Sequence, residues 1–176
     1  MLLETPRLIL RRFRPGDAAA LAAYRSDPSV ARYQSWTPPV PTTAAIGLVR
    51  AFAAGDPRQP GWFQYAIEHR DDRCLIGDIG VHLHSNLMQA DLGFTLAADR
   101  QGRGYATEAV QALLSHLFEQ GLRRVSAECD ARNVRSARLL QRVGFQHEGY
   151  RPAYTWIKGE WVDDVLFGLL VEQWRG

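Results

Sequence analysis

The chain of 176 residues is long enough for one domain with a sizeable core, which we expect to span residues 1–176. Its formal net charge of +2 argues against a dedicated nucleic-acid surface, and no apolar run approaches the roughly 18 residues that cross a membrane. Cys74 and Cys129 lack CxxC partners, and Glu4 and Arg7 come too early for the apolar core of a signal peptide. A cytoplasmic protein is therefore expected, and the single lysine among 21 basic residues suggests GC-rich coding and a bacterial source.

Hydrophobic periodicity and helix-start signals divide the first third of the chain into a strand and several helical segments. Thr42 and Thr43 resemble an N-cap, and Ile46, Val49 and Ala53 share one face of the helix that follows. The predicted elements are a strand at 7–11, a helix at 15–25, a helical turn from 27, a proline-rich loop at 36–41 and a helix at 42–54.

The rest of the chain alternates strands with two helices. Turn residues at 71–72 and 85–86 indicate an antiparallel meander of three strands. Gly121 ends the first helix, and Asn133 is a good N-cap for the second. The predicted elements are strands at 62–68, 74–82 and 87–96, a helix at 106–120, a strand at 123–130, a helix through 142, and strands at 146–157 and 161–170.

A glycine-rich turn at residues 100–106 joins a predicted strand to a predicted helix. Backbone N–H groups and the helix dipole make such a turn a seat for a pyrophosphate, and Gly102 and Gly104 let a ligand approach closely. The turn is not a P-loop, because Lys-Ser/Thr does not follow Gly104, and Thr107 stands where a dinucleotide fingerprint needs a third small residue. The remaining pattern is Gln-x-x-Gly-x-Ala over 101–106.

A second motif follows after an interval that holds one helix and one strand. Residues 133–136 read Asn-x-x-Ser and lead through a short helix to Gly144-Phe145. The two motifs resemble the GNAT acetyltransferases. The opening segment 3–11 and the closing segment 159–167 are similar to the RimJ/RimL-like branch of that family, which acetylates protein N-terminal amines.

The resemblance implies an α/β GNAT fold, whose sheet is mixed, mainly antiparallel and splayed, with helices on both faces. Acetyl-CoA is the implied co-substrate. It would insert where strand 91–96 parts from strand 123–130, and its acetyl group would pass directly to an amine without a metal. Asn133 would contact it in addition to capping a helix. The residues implied to bind it are Phe94, Thr95, Leu96, Gln101, Gly102, Arg103, Gly104, Tyr105, Ala106, Asn133 and Ser136.

The general acid and the general base are open to several assignments. Leu140 stands where many relatives carry a tyrosine acid, so Ser136 is the candidate that protonates the departing thiolate. Ser136 is also placed to satisfy an N–H group at the start of its helix. Asp91 begins the strand before the glycine-rich turn and is the candidate base or amine anchor, with Glu128 as a rival.

Three residues are candidates for the acceptor groove: Trp36 in the proline-rich loop, Asp91, and Tyr154 among the late aromatic residues. Loops over a fixed scaffold commonly carry specificity, which favours Trp36. His82 and His84 share a strand face and are metal ligands by type, but the sequence indicates no third ligand. No metal site is therefore expected.

The predicted acceptor is a protein N-terminal α-amine. At pH 7.5 roughly a third of an α-amine is neutral, against about a thousandth of a lysine side chain, so a site without a strong base suits the α-amine. A small-molecule amine, such as an antibiotic, a polyamine or an amino acid, is an alternative within the same chemistry. A non-catalytic CoA-binding or ribosome-associated module is an alternative of another class, favoured by Leu140. Relatives often form dimers, so the resemblance also allows a homodimer.

Overall fold

Eight strands form one sheet in the computed structural model, which describes residues 2–176. The strands are β1 (Leu3–Glu4), β2 (Leu8–Arg11), β3 (Gly61–His69), β4 (Leu75–Leu83), β5 (Gln89–Leu96), β6 (Arg124–Asp130), β7 (Gln146–Ile157) and β8 (Glu160–Leu170). The helices are α1 (Ala18–Ser26), α2 (Pro28–Ala31), α3 (Thr42–Ala54), α4 (Tyr105–Glu119) and α5 (Val134–Arg142), with 3₁₀ turns at 15–17, 98–100 and 171–173.

The strands lie in the order β1-β2-β3-β4-β5-β6-β8-β7. Among residues 2–176, β5 and β6 form the only parallel pair, and every other neighbouring pair is antiparallel. The prediction of a mixed, mainly antiparallel sheet is confirmed.

Two buried apolar clusters show that helices cover both faces of the sheet. Tyr65 and Ile67 belong to the cluster that includes α4, whereas Ala66 between them belongs to the cluster of α1 and α3. Such alternation puts the two clusters on opposite faces, because successive strand residues point to opposite sides. On α4, Ala109 and Leu113 are fully buried, as the helical spacing predicts. No helix within residues 2–176 combines the length and the apolar character that a bilayer crossing requires.

The start of α3 differs from the prediction. Pro41 occupies the N-cap position and its carbonyl accepts the first helical bond from the backbone N–H of Ala45, at 3.0 Å. Thr42 is therefore already helical, and the predicted threonine cap is wrong. The buried stripe then runs through Ala45 and Val49, while Ile46 is 40% exposed.

The sheet splays between β5 and β6. Their parallel pairing extends over three positions and ends at Asp91 opposite Ser126. Beyond that point β5 continues along β4 as far as Leu96, and β6 continues along β8 as far as Asp130. The predicted splay is therefore present, and it separates the sheet into two halves.

A buried charge cluster joins the first half of the sheet to α1. The Arg11 guanidinium is 3% exposed and donates to both carboxylate oxygens of Asp17, at 2.7 and 2.8 Å. Its Nε donates to Glu68, which is 1% exposed on β3. Asp17 depends on this arginine, because a buried charge is costly unless it is paired, whereas Glu68 also pairs with the exposed Arg14 and Arg73.

Candidate active site

The divergence of β5 from β6 opens a cleft of about 100 Å³ in the middle of the sheet. It is lined by residues 92–94 of β5, 127–130 of β6, the N-cap Asn133, Ser136 and Leu140 of α5, and Tyr33 and Gln34 after α2. The strands are still paired at Asp91 and Ser126, so this pair marks the closed end of the cleft, although neither residue is among those that line it.

Phe94, Thr95 and Leu96, which the resemblance implies bind the co-substrate, lie on β5 beyond its pairing with β6. The Phe94 side chain lines the cleft, while the side chains of Thr95 and Leu96 are buried. Backbone groups along a strand point alternately to its two sides, so every second group here faces the cleft instead of β4. The backbone N–H and C=O groups on this side of β5 can therefore form hydrogen bonds with an extended ligand.

The glycine-rich loop follows β5 and leads into α4. Gly102 and Gly104 have φ angles of 75° and 81°, in the left-handed region that glycine favours. Gly104 is the N-cap of α4, and within residues 2–176 no side chain caps this helix end, so its first N–H groups can bind an anion. Gln101 braces the loop: its Nε2 donates to the Leu96 carbonyl at 3.0 Å, and its Oε1 accepts from Arg135 at 3.2 Å.

The other predicted loop residues differ in what they present. Arg103 is exposed and Ala106 is half-buried. The Tyr105 side chain is buried, and its hydroxyl lies 3.1 Å from Nε2 of His69. Tyr105 can therefore offer a ligand its backbone N–H, but its ring belongs to the core.

Glu108, on the first turn of α4, ties the N-terminal segment to this loop. Its carboxylate accepts from the Thr5 hydroxyl at 2.6 Å, from the Arg7 backbone N–H at 2.9 Å and from Arg7 Nε at 2.6 Å. Arg7 Nη1 in turn donates to the Arg103 carbonyl at 3.0 Å. Burial raises the pKa of the Glu108 carboxyl, but the hydrogen bonds from Thr5 and Arg7, together with the charge of Arg7, hold that pKa below its usual value.

The second predicted motif forms the opposite wall of the cleft. Asn133 caps α5 through its Oδ1, which accepts from the Ser136 backbone N–H at 3.2 Å, so the capping prediction is confirmed. Ser136 and Leu140 are one helical turn apart and both line the cleft. Leu140 is 1% exposed, so an apolar side chain fills the place of the usual tyrosine.

Cys129 also lines the cleft. Burial, together with the carboxylate of Asp130, raises the pKa of its thiol to about 11. The thiol therefore stays protonated at neutral pH, which disfavours a covalent acyl-cysteine route, because the thiolate is the nucleophilic form.

Asp91 pairs with two histidines at the closed end of the cleft. Its Oδ2 lies 2.9 Å from His84 Nε2 and 3.4 Å from His82 Nδ1. The antiparallel register places Asp91 directly opposite His82, and the Trp62 ring packs against the His82 ring at 5.1 Å. The sequence indicates no third ligand for these histidines, but strand pairing brings the Asp91 carboxylate, a metal ligand by type, next to both.

None of the three acceptor-groove candidates, Trp36, Asp91 and Tyr154, is among the residues that line the cleft. Trp36 Nε1 donates to the Arg25 carbonyl at 2.9 Å, and its ring lies 4.2 Å from the Arg25 guanidinium. Tyr154 is 57% exposed and its ring packs 3.7 Å from the Arg151 guanidinium. Glu128, the rival acid, does line the cleft, where it pairs with Arg151.

Sequence analysis missed Tyr33 and Gln34, which lie between α2 and the proline-rich loop and reach the cleft. The Trp36–Arg25 contact fixes the loop that carries them. No periodicity or motif marks either residue. The one sequence feature that points to them is their position next to the proline-rich loop at 36–41, whose Trp36 was a candidate for the acceptor groove.

Comparison with known proteins agrees with this geometry. A model of the acetyltransferase (GNAT) domain matches residues 7–146. The chain is 33% identical over 171 residues to the uncharacterized N-acetyltransferase YoaA of Bacillus subtilis (strain 168), covering 96% of each protein. It is 30% identical over 185 residues to the ribosomal protein uS5-alanine N-acetyltransferase of Escherichia coli (strain K12), covering 98% of this chain and 92% of that protein.

Solved structures give the same result. An acetyltransferase (GNAT family) from Bacillus anthracis matches with a TM-score of 0.88 at 25% identity, over 98% of this chain and 99% of that one. GNAT acetyltransferases use acetyl-CoA, and the relatives of this chain include ribosomal-protein acetyltransferases of the RimJ/RimL-like type. The two motifs, the splayed sheet and these matches show that the chain belongs to the GNAT family of acetyltransferases.

Proposed function

We propose that this protein transfers the acetyl group of acetyl-CoA to a protein N-terminal α-amine. The observation that carries the proposal is the half-exposed carboxylate of Asp91, the residue at which β5 and β6 part to open a cleft whose walls suit the co-substrate. The similarity to a protein named as an alanine N-acetyltransferase of ribosomal protein uS5 supports this acceptor class.

The residues of the loop and cleft fit acetyl-CoA. Gly102 is open, since a Cβ built there meets no atom within 4 Å, and the N–H groups at the start of α4 suit a pyrophosphate. Arg103 adds an exposed cation beside them. When bound, acetyl-CoA supplies an activated thioester carbonyl. Backbone N–H groups of residues 94–96 are the proposed donors that polarise it, as in an oxyanion hole.

The acceptor amine is assigned to Asp91. A carboxylate can hold an α-ammonium group by a charge-assisted hydrogen bond, and His82 and His84 orient that carboxylate. Roughly a third of an α-amine is already neutral at pH 7.5, so the site needs to anchor and orient it more than to deprotonate it. Orientation of two bound reactants supplies much of the rate in such a transfer.

The co-substrate seat is tested by Gly104→Glu. The new carboxylate would stand in the proposed pyrophosphate seat, and each lost charge-assisted hydrogen bond costs roughly 1.5–3 kcal/mol, so affinity for CoA should fall at least tenfold. Gly121→Glu is the matched control, because Gly121 also has a positive φ, of 98°, but lies at the other end of α4. If calorimetry finds that both folded variants bind CoA with equal affinity, the proposed pyrophosphate-binding site at Gly104 is overturned.

Activity is measured as CoA release with a panel of α-amine peptides, lysine-like amines and small amines. Preference for the α-amine peptides supports the proposed acceptor, and preference for a small amine favours the alternative substrate class. Binding of acetyl-CoA without turnover on any acceptor favours a non-catalytic module.

Ser136 is tested separately as the proton donor to the departing thiolate. Ser136→Ala should leave the cap of α5 intact, since Asn133 accepts from the backbone N–H and not from the hydroxyl. Positioned proton transfer typically contributes about 10²–10⁴-fold, so kcat should fall by about a hundredfold or more while CoA affinity changes little. A decrease below about threefold, with Asn133→Ala as the capping control, would leave Ser136 with a structural role only.

A further inference from the structure

We propose that His82, His84 and Asp91 form a binding site for a transition-metal dication such as Zn²⁺. Their ligand atoms all lie within 4.8 Å of one another. The shared oxygen, Asp91 Oδ2, is 2.9 Å from His84 Nε2 and 3.4 Å from His82 Nδ1. Ligand atoms of a tetrahedral zinc ion lie roughly 3.3 Å apart, given bond lengths of about 2.0–2.1 Å, so small rotations of the side chains complete the geometry.

The sheet places the three ligands before any ion arrives. His82 and His84 are two positions apart on β4, so their side chains share a face, and Asp91 is the register partner of His82 on β5. The Trp62 ring packs against His82 from β3, at 5.1 Å. Two paired strands therefore hold the ligands on rigid backbone, which reduces the ordering that metal binding requires.

The donor set and the exposure determine which ions fit. Two imidazoles and one carboxylate suit Zn²⁺, Co²⁺, Ni²⁺ and Cu²⁺, whereas Mg²⁺ and Ca²⁺ prefer oxygen ligands alone. The side chains of His82, His84 and Asp91 are 37, 36 and 45% exposed, so an ion can enter and keep open positions for water. Arg124 on β6 pairs mainly with Glu148, at 2.9 Å, which raises the pKa of its guanidinium, and the charge of Asp91 is close enough to raise that pKa further.

A bound ion would take the carboxylate oxygen that the acceptor amine needs. Zn²⁺ should therefore inhibit acetyl transfer in competition with the amine and not with acetyl-CoA. This consequence rests on the proposed function, because it assigns the amine to Asp91. The metal site itself rests on ligand geometry alone.

The test uses the full chain after removal of metals with a chelator. Zn²⁺ is titrated by calorimetry, and Co²⁺ by its visible absorption, which reports the coordination of the ion. One ion should bind, and His84→Ala and Asp91→Asn should each weaken binding at least tenfold, since even indirect partners of metal ligands change affinity by about 10–100-fold. His116→Ala and Cys74→Ser are the controls for a histidine and an exposed thiol outside the cluster.

Affinity that is unchanged in His84→Ala, or that is lost in Cys74→Ser, would overturn the site. If the protein transfers acetyl groups but binds neither Zn²⁺ nor Co²⁺, the metal site is overturned and the proposed function stands. Zinc binding that depends on His84 but does not affect acetyl transfer would support the metal site and overturn the placement of the amine at Asp91.

Discussion

Asp91→Asn should raise the KM for the amine acceptor by about tenfold to a hundredfold and leave affinity for CoA unchanged. The substitution keeps the size of the side chain but removes the charge that would hold an α-ammonium, and a hydrogen bond to a charged group contributes roughly 1.5–3 kcal/mol. The glycine-rich loop lies at the other end of β5, which is why CoA binding should not respond. Steady-state kinetics on metal-free protein, with an α-amine peptide and a lysine-like amine, measure the effect.

The kinetic pattern separates anchoring from base catalysis. An anchor affects KM for both amines similarly, whereas a base affects kcat and more strongly for the amine of higher pKa. Glu128→Gln is the matched control, because Glu128 lines the cleft that opens next to Asp91 but pairs with Arg151. Wild-type kcat and KM in Asp91→Asn, together with a deficit in Glu128→Gln, would transfer the role to Glu128.

Arg11→Met should destabilise the fold by about 3–5 kcal/mol, because it leaves the buried carboxylate of Asp17 without its arginine. It also removes the buried partner of Glu68, which keeps only the exposed Arg14 and Arg73, at 3.3 and 2.9 Å. Asp17 would lose both hydrogen bonds from the guanidinium, and Glu68 would lose its buried donor at Nε. Methionine fills much of the same volume, so the loss reports the charges more than a cavity. The free energy of unfolding is obtained from urea denaturation of the variant and the wild type.

Arg58→Met is the control, since its side chain is 82% exposed and its contact with Asp56 is at 3.6 Å. Exposed ion pairs contribute little to stability, so this variant should unfold close to the wild type. Equal midpoints for Arg11→Met and Arg58→Met would show that the buried cluster does not stabilise the fold. A triple replacement of Arg11, Asp17 and Glu68 by apolar residues should recover part of the loss, because no buried charge then remains unpaired.

Much of the fold follows from local signals in the sequence. The meander, α4, and the cap of α5 at Asn133 were predicted because strand alternation, helical spacing and capping chemistry act over a few residues. The predicted threonine cap of α3 is wrong. Proline and threonine both favour the start of a helix, so the residue types alone do not show which of Pro41 and Thr42 is the N-cap. The two-residue strand β1 is too short to carry a periodic signal.

The Asp91 cluster was within reach of the sequence but needed the register of one hairpin. Counting outward equally from Asn86 and Leu87 brings His82 opposite Asp91, as the structure has it. Leu87 adopts a φ of 57°, a left-handed conformation that leucine seldom takes, so the residue itself gave no sign of the turn. The contacts of Tyr33 and Gln34 were out of reach, since they depend on tertiary packing of a loop on α1.

The attachment of the N-terminal segment to Glu108 has a thermodynamic consequence for ligand binding. Thr5 and Arg7 contact the same helix start that the proposed pyrophosphate seat uses, and Arg7 also bonds to the Arg103 carbonyl within the loop. Docking of the segment and binding at the loop are therefore linked equilibria, and linkage is reciprocal. If docking of the segment raises the affinity of the loop for its ligand by some factor, ligand bound at the loop must raise the docking equilibrium constant of the first strands by the same factor.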